Sequence, residues 1–212
     1  RSLAFLQGCF LEKKIMEIKN TKLNDYIKIF DSIVKEETLE NFIEICNNHN
    51  FEAGKIVGKN GKNIVEQNTR KTDVWALSNL NSSLTTVHWY NFFQKVFGLK
   101  YIEYMNFFSN NRVGISVPNI FDIQVLKYKK NFYYKFHVDQ SAQNNRQWSG
   151  IFFVNDNYKG GDLIFSTPCG TSEIKIEKKK NRLVIWPSNF MYPHTVLPVT
   201  EGIRYSIVSW AQ

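Results

Sequence analysis

Two textures of hydrophobic pattern divide this chain. Upstream of Tyr101, apolar residues recur at three- and four-residue steps; downstream they come in short alternating runs broken by turn residues every eight to twelve positions. Leu39, Phe42, Ile43 and Cys46 predict an amphipathic helix over Glu36 to Asn48. Leu84, Val87, Trp89, Phe92, Phe93 and Val96 predict a second helix from about Ser82 to Phe97, broad enough to lie under a sheet, with Gly98 as its stop signal. Tyr26 to Phe30 alternates like a strand, and the polar stretch Gly54 to Asn68 reads as a loop. Strands are predicted at Ile123–Tyr128, Tyr133–His137, Trp148–Val154, Leu163–Ser166, Glu173–Ile176, Leu183–Trp186 and Arg204–Trp210. Lys178-Lys179-Lys180-Asn181 reads as a hairpin tip in which Asn181 takes positive φ, and Gly160-Gly161 as a tight turn between strands. Helices followed by short strands make an α+β fold, its strands forming a sandwich or jelly roll supported by the N-terminal helices.

Composition narrows the class. In 212 residues, 43% are hydrophobic, 15% aromatic and 22% charged, which excludes a disordered tail, a coiled coil and a collagen-like chain. A net charge of +8 points to acidic ligands or partners, so nucleic acid enters as one hypothesis. Cys9, Cys46 and Cys169 stand far apart without a CxxC pair, which argues for a reduced, cytoplasmic protein rather than a disulfide scaffold or thiolate zinc site. No apolar run reaches the roughly eighteen residues of a membrane span, so no membrane partner is expected. Met16 reads as the natural start, residues 1–15 as a leader or expression remnant, and 16–212 as a single domain with a core from about 101.

Only four histidines occur, and two of them, His49 and His88, lack a ligand partner at useful spacing. In His137-Val138-Asp139, on a strand, one imidazole and one carboxylate project from the same face. His194 lies 55 positions beyond Asp139, and Arg204 opens the strand that follows. If Pro198 to Gly202 turns the chain, the last strand returns beside the His194 segment, with Arg204 and Ser206 on one face. Two imidazoles and one carboxylate, with other positions open, make the facial arrangement of non-haem Fe(II) oxygenases. A guanidinium suits a carboxylate on a co-substrate chelating that metal.

At these residues a family resemblance becomes specific. From Tyr128 to Gln212 the chain resembles the catalytic core of the Fe(II)/2-oxoglutarate-dependent dioxygenases, in particular their prolyl 4-hydroxylase-like branch. The motifs that carry it are Tyr128 with His137-Val138-Asp139, Tyr158-Lys159-Gly160-Gly161-Asp162-Leu163, His194-Thr195-Val196, and Gly202 through Trp210. Upstream, Arg70-Lys71-Thr72 is similar to a short Arg-containing segment of that branch.

The resemblance implies a double-stranded β-helix core and an enzyme using Fe(II), 2-oxoglutarate and O2, with ascorbate a candidate accessory reductant. His137, Asp139 and His194 would hold the iron, Arg204 would pair with the far carboxylate of 2-oxoglutarate, and the Tyr128 hydroxyl would help fix it. Some relatives carry a co-substrate tyrosine where this chain has Phe153; Ser149 or Ser206 is then the candidate to compensate. Tyr134, Arg146 and Trp210 match the substrate-groove places of prolyl hydroxylases, each with a plainer reading as core packing or a solvated loop. The expected reaction hydroxylates prolyl residues of a peptide or protein, an acidic one being a candidate partner, while 2-oxoglutarate becomes succinate and CO2. Alternatives keep the chemistry on a free amino acid, another side chain or a small molecule, or replace it with a non-catalytic metal-binding jelly roll. Nucleic-acid binding has only the Lys175 to Arg182 charge run in its favour, more often a solvated turn.

Overall fold

A computed structural model describes residues 22–57, 63–78, 83–109, 118–142 and 144–212; the expected leader at 1–15 lies outside them, as do Gly58 and Gly61. A 3-10 turn at Leu23–Tyr26 leads into β1 (Lys28–Asp31) and α1 (Glu36–Asn48). Short strands follow: β2 (Glu52–Ala53), β3 (Ile56–Val57), β4 (Asn63–Ile64), β5 (Arg70–Lys71) and β6 (Asp73–Ala76). Then come α2 (Leu84–Ser109), β7 (Ile120–Tyr128), β8 (Tyr133–His137), β9 (Trp148–Phe153), β10 (Lys159–Gly160) and β11 (Leu163–Ser166). The chain closes with β12 (Glu173–Ile176), β13 (Arg182–Pro187), β14 (His194–Val196), β15 (Val199–Glu201) and β16 (Arg204–Ala211). A seven-stranded sheet, β1-β13-β9-β16-β7-β6-β2, faces a five-stranded one, β12-β11-β14-β8-β5, and the main strand pairs are antiparallel. This is the expected α+β fold with a jelly-roll core.

Alternation along β16 explains the layering. Tyr205, Ile207 and Ala211 face the helices, while Val208 and Trp210 face the other sheet, so the strand is buried on both sides. The helix layer is aromatic: Trp89, Phe93, Phe97, Tyr101 and Tyr104 of α2 recur at three- and four-residue steps and are all buried. Each such side chain contributes roughly 1.5–3 kcal/mol of burial. Gly98 does not stop the helix, which runs on to Ser109 because Tyr101 and Tyr104 continue the buried stripe. The Ser83 hydroxyl accepts from the Thr86 N–H and caps the start; Leu84, expected on the buried face, is exposed. Gly150 on β9 makes room for this layer, since a Cβ there would lie 2.9 Å from the Tyr101 hydroxyl.

Three expectations are corrected. Within the predicted 54–68 loop, β3 pairs with β4. The last strand does not return beside His194: β14 pairs with β11 and β8 in one sheet, and β16 with β9 and β7 in the other. The reason is β15, which pairs with β10, after which Gly202 (φ +75) turns the chain across the sandwich. The Lys178–Asn181 segment is likewise a crossover between sheets rather than a hairpin tip, although Asn181 does take φ +64.

That crossover is tied to the N-terminal layer. The Asn181 amide donates to the Val34 carbonyl at 2.6 Å and accepts from the Val34 N–H at 3.0 Å. Arg182 and Lys179 pair with Asp31, and their hydrogen bonds hold its carboxyl well below the usual carboxylate range. Lys180 pairs with Glu36 and Lys175 with Asp162. The charge run proposed for nucleic acid therefore has acidic partners within the chain. Among the described residues, no helix is long and apolar enough to cross a membrane.

Asn181→Ala should lower the unfolding free energy by about 2–4 kcal/mol, because it loses both buried hydrogen bonds and strains a left-handed residue. Asn181→Gly, which relieves the strain alone, should cost less; urea unfolding midpoints measure both.

Candidate metal and co-substrate site

The inner faces of the two sheets enclose a cavity of about 740 Å³. His137, Asp139 and His194 line it, and their ligand atoms all lie within 4.8 Å of one another. His194 comes from the five-stranded sheet, directly opposite His137 in the β14–β8 register. His137 is the last residue of β8, and Asp139 lies beyond it in a bend, so the two are not carried on one strand face as expected. Another contact places the carboxylate. The Ser149 hydroxyl donates to Asp139 Oδ2 at 2.7 Å and lies 2.7 Å from the Ser188 hydroxyl. A backbone bond from the Gln140 N–H to the Ser188 carbonyl ties down the same bend.

Both imidazoles are oriented from behind. His137 Nδ1 is 2.8 Å from the Lys135 carbonyl and His194 Nδ1 is 3.1 Å from the Tyr192 carbonyl. A carbonyl can only accept, so each Nδ1 carries the proton and each Nε2 lone pair is left for the centre. The Nε2 atoms lie 3.7 and 3.6 Å from the Asp139 oxygens. Burial, and then the charge of His194, push His137 down to about 3, so it is neutral at physiological pH. Burial pushes the Asp139 carboxyl up, but His194, His137 and the Ser149 hydroxyl outweigh it and hold the carboxyl below its ordinary value. The set is two imidazole nitrogens and one carboxylate, the donor chemistry that suits Fe(II).

A bulge in β8 shapes the neighbouring wall. His194 pairs with His137 and Val196 with Tyr134, so three steps on β8 match two on β14. Tyr134 and His137 therefore share the inner face and stack at 3.6 Å between centroids. Arg70, opposite Tyr134 on β5, lays its guanidinium 5.0 Å from the Tyr134 ring. Arg146 lies 3.6 Å from the Trp210 ring and pairs with Asp122 at 3.2 Å. Tyr134, Arg146, Trp210 and Tyr128 all line the cavity. The plainer reading of Arg146 as a solvated loop residue fails, because it is largely enclosed by these contacts.

Arg204 and Ser206 are not on that wall. Arg204 is fully buried one layer deeper, its guanidinium 5.0 Å from the Tyr128 ring and 5.3 Å from the Phe153 ring. All three of its side-chain nitrogens lack a hydrogen-bond partner, and so does Ser206 Oγ. A buried, unpaired cation costs several kcal/mol, so this end of the site is built for an anion, and a dicarboxylate fits that requirement. Ser149 has a different task from the one expected: its hydroxyl serves Asp139 rather than the Arg204 end.

Residues 123–212 match the family model described as the 2OG-Fe(II) oxygenase superfamily. Over that stretch the chain is similar to this superfamily. The chain is 37% identical to prolyl 3-hydroxylase 3 of Mus musculus over 70 residues, 32% of this chain and 10% of that one. It is 33% identical to the PKHD-type hydroxylase YbiX of Escherichia coli over 95 residues, 41% of this chain and 40% of YbiX. The chain thus spans less than half the length of these curated relatives. Among solved structures it resembles a prolyl hydroxylase from Trichoplax adhaerens in complex with a hypoxia inducible factor peptide fragment. The TM-score is 0.66 at 16% identity, over 88% of this chain and 83% of that one. A Pseudomonas putida prolyl-4-hydroxylase gives 0.64 at 15% identity, over 88% and 92%. At such identities the structures share the fold.

Sequence reasoning missed Ser188, Asp122 and any individual role for Arg70. Arg70 had a signal, lying in a segment already noted for its resemblance. Ser188 had none, because the β9–β13 pairing alone brings it to Ser149.

Ser149→Ala should weaken Co(II) or Fe(II) binding by roughly ten- to a hundred-fold, the usual loss on removing such a supporting contact. Titration calorimetry reads the affinity, and thermal unfolding of the metal-free protein checks that the fold persists.

Proposed function

We propose that the chain is a 2-oxoglutarate- and Fe(II)-dependent oxygenase that hydroxylates prolyl residues of a peptide or protein. The carrying observation is the pairing of a His137–Asp139–His194 centre with a fully buried, unpartnered Arg204 in one sandwich. A metal-binding module needs the first and has no use for the second. Fe(II) with 2-oxoglutarate and O2 supplies the oxidising chemistry, in which 2-oxoglutarate becomes succinate and CO2.

The protein's part is geometric and electrostatic. His137 and His194 turn their Nε2 atoms to the centre because backbone carbonyls hold their Nδ1 atoms. Asp139 stays ionised and oriented through Ser149. Arg204 attracts the far carboxylate of the co-substrate, with Tyr128 beside it. Leu163, Val196, Ile151 and Val208 supply apolar wall and exclude water around the centre. The Tyr134, Arg146 and Trp210 rim offers two flat rings and a guanidinium with an unpartnered Nε. Rings suit the pyrrolidine of a prolyl residue and the guanidinium suits its backbone carbonyl, which favours a peptide over a free amino acid. The names of the relatives agree with prolyl substrates and carry that part of the reading no further.

Turnover of 2-oxoglutarate with Fe(II) and ascorbate, against a panel of proline-containing peptides, tests this. The expected product is a peptide heavier by one oxygen atom; succinate without such a product would keep the oxygenase and remove the prolyl assignment. Asp139→Ala should abolish succinate formation, and unchanged turnover would overturn the metal assignment.

A further inference from the structure

Among the described residues, nine buried side-chain nitrogen and oxygen atoms have no hydrogen-bond partner, and five belong to Arg204, Ser206 and Tyr158. Such atoms are rare in folded proteins, and a cluster of them marks a place where a ligand completes the bonding. Arg204 and Ser206 share the inner face of β16. Tyr158 reaches the same place from the connector that precedes β10, and its side chain is buried, with 5% exposure for the residue.

Gly161 brings them together. It holds φ +62, and a Cβ there would stand 3.1 Å from both Arg204 Cδ and Tyr158 Cε2, and 2.9 Å from Val199 Cγ2. The glycine leaves a notch in which the tyrosine ring and the arginine stem are neighbours. Lys178 fixes the ring from the other side, donating to the Tyr158 carbonyl at 2.7 Å with its ammonium 4.8 Å from the ring centroid. Burial pushes the Tyr158 phenol up, with the Arg204 charge opposing, so it stays protonated and able to donate. Phe153, the other ring over Arg204, has no hydroxyl to offer.

We propose that Tyr158 donates its hydroxyl to the distal carboxylate of 2-oxoglutarate, completing with Arg204 and Ser206 a three-residue anion clamp. The inference rests on the co-substrate reading above and adds a binding residue to it. The carboxylate would accept from a guanidinium and two hydroxyls, and each orphaned group would gain the partner it lacks. Ordinary core packing makes a different demand, because a tyrosine that only fills space does not care about its ligand's far end.

The test is equilibrium binding to the Zn(II)-loaded protein, which does not turn over, using 2-oxoglutarate and 2-oxobutyrate. Both carry the keto-acid head, and only the first has a distal carboxylate. Tyr158→Phe should weaken 2-oxoglutarate by about ten- to a hundred-fold, the range for a hydrogen bond to a charged group, and leave 2-oxobutyrate unchanged. Its ligand-free melting temperature should change little, since the Arg204 guanidinium is the polar group beside the deleted hydroxyl. Wild-type affinity for 2-oxoglutarate in Tyr158→Phe, or equal loss for both ligands, would overturn the clamp. If the wild-type protein bound no 2-oxoglutarate at all, the co-substrate reading itself would fall first.

Discussion

The carboxylate of Asp139 is held by three neighbours, and the chemistry of the site depends on that restraint. It faces His137 and His194 at 3.7 and 3.6 Å and accepts from Ser149 at 2.7 Å. Left in an apolar sandwich without them, burial would favour its neutral form, and a neutral acid is a poor metal ligand. Ser149 lies on β9 and Ser188 directly after the end of β13, neighbouring strands of the opposite sheet, so assembling the sandwich and assembling the metal site are one event. The residue is not on a strand, which is why its position needs so many external contacts.

The seven-stranded sheet separates two tasks by face. Its outer face meets the aromatic stripe of α2 and the Leu39, Phe42 and Cys46 face of α1. Its inner face carries Ser149, Tyr128, Arg204 and Ser206, groups that weaken a core when they lack partners. The outer layer supplies apolar burial that offsets those polar insertions. Small side chains serve both layers: Gly150 lets α2 approach, and Gly161 lets Arg204 and Tyr158 meet.

The positive charge divides in the same manner. The lysines and arginine from Lys175 to Arg182 are matched by Asp31, Glu36, Asp162 and Glu177, or donate to a backbone carbonyl. Arg204 has no such partner. The net charge of +8 thus says little about recognition, whereas one arginine enclosed between two rings says a good deal. Charge that water screens is cheap to carry; charge taken out of water must be answered by a ligand.

Much of this was legible in the residues alone. Strand and helix positions followed from hydrophobic period, because burial on one or two faces imposes it, and the strands from Ile123 onward lie where alternation put them. The ligand triad was legible because His137, Asp139 and His194 are rare residue types at telling places. Strand partnership was not: nothing local to His194 or Arg204 reveals that they belong to opposite sheets, since β15 and Gly202 redirect the chain through contacts remote in sequence. The bulge that stacks Tyr134 on His137, the Ser188–Ser149–Asp139 relay and the Tyr158–Arg204 notch are likewise products of register. Period is a property of one strand and its two faces, whereas register belongs to pairs of strands, and only the folded chain contains the pairs.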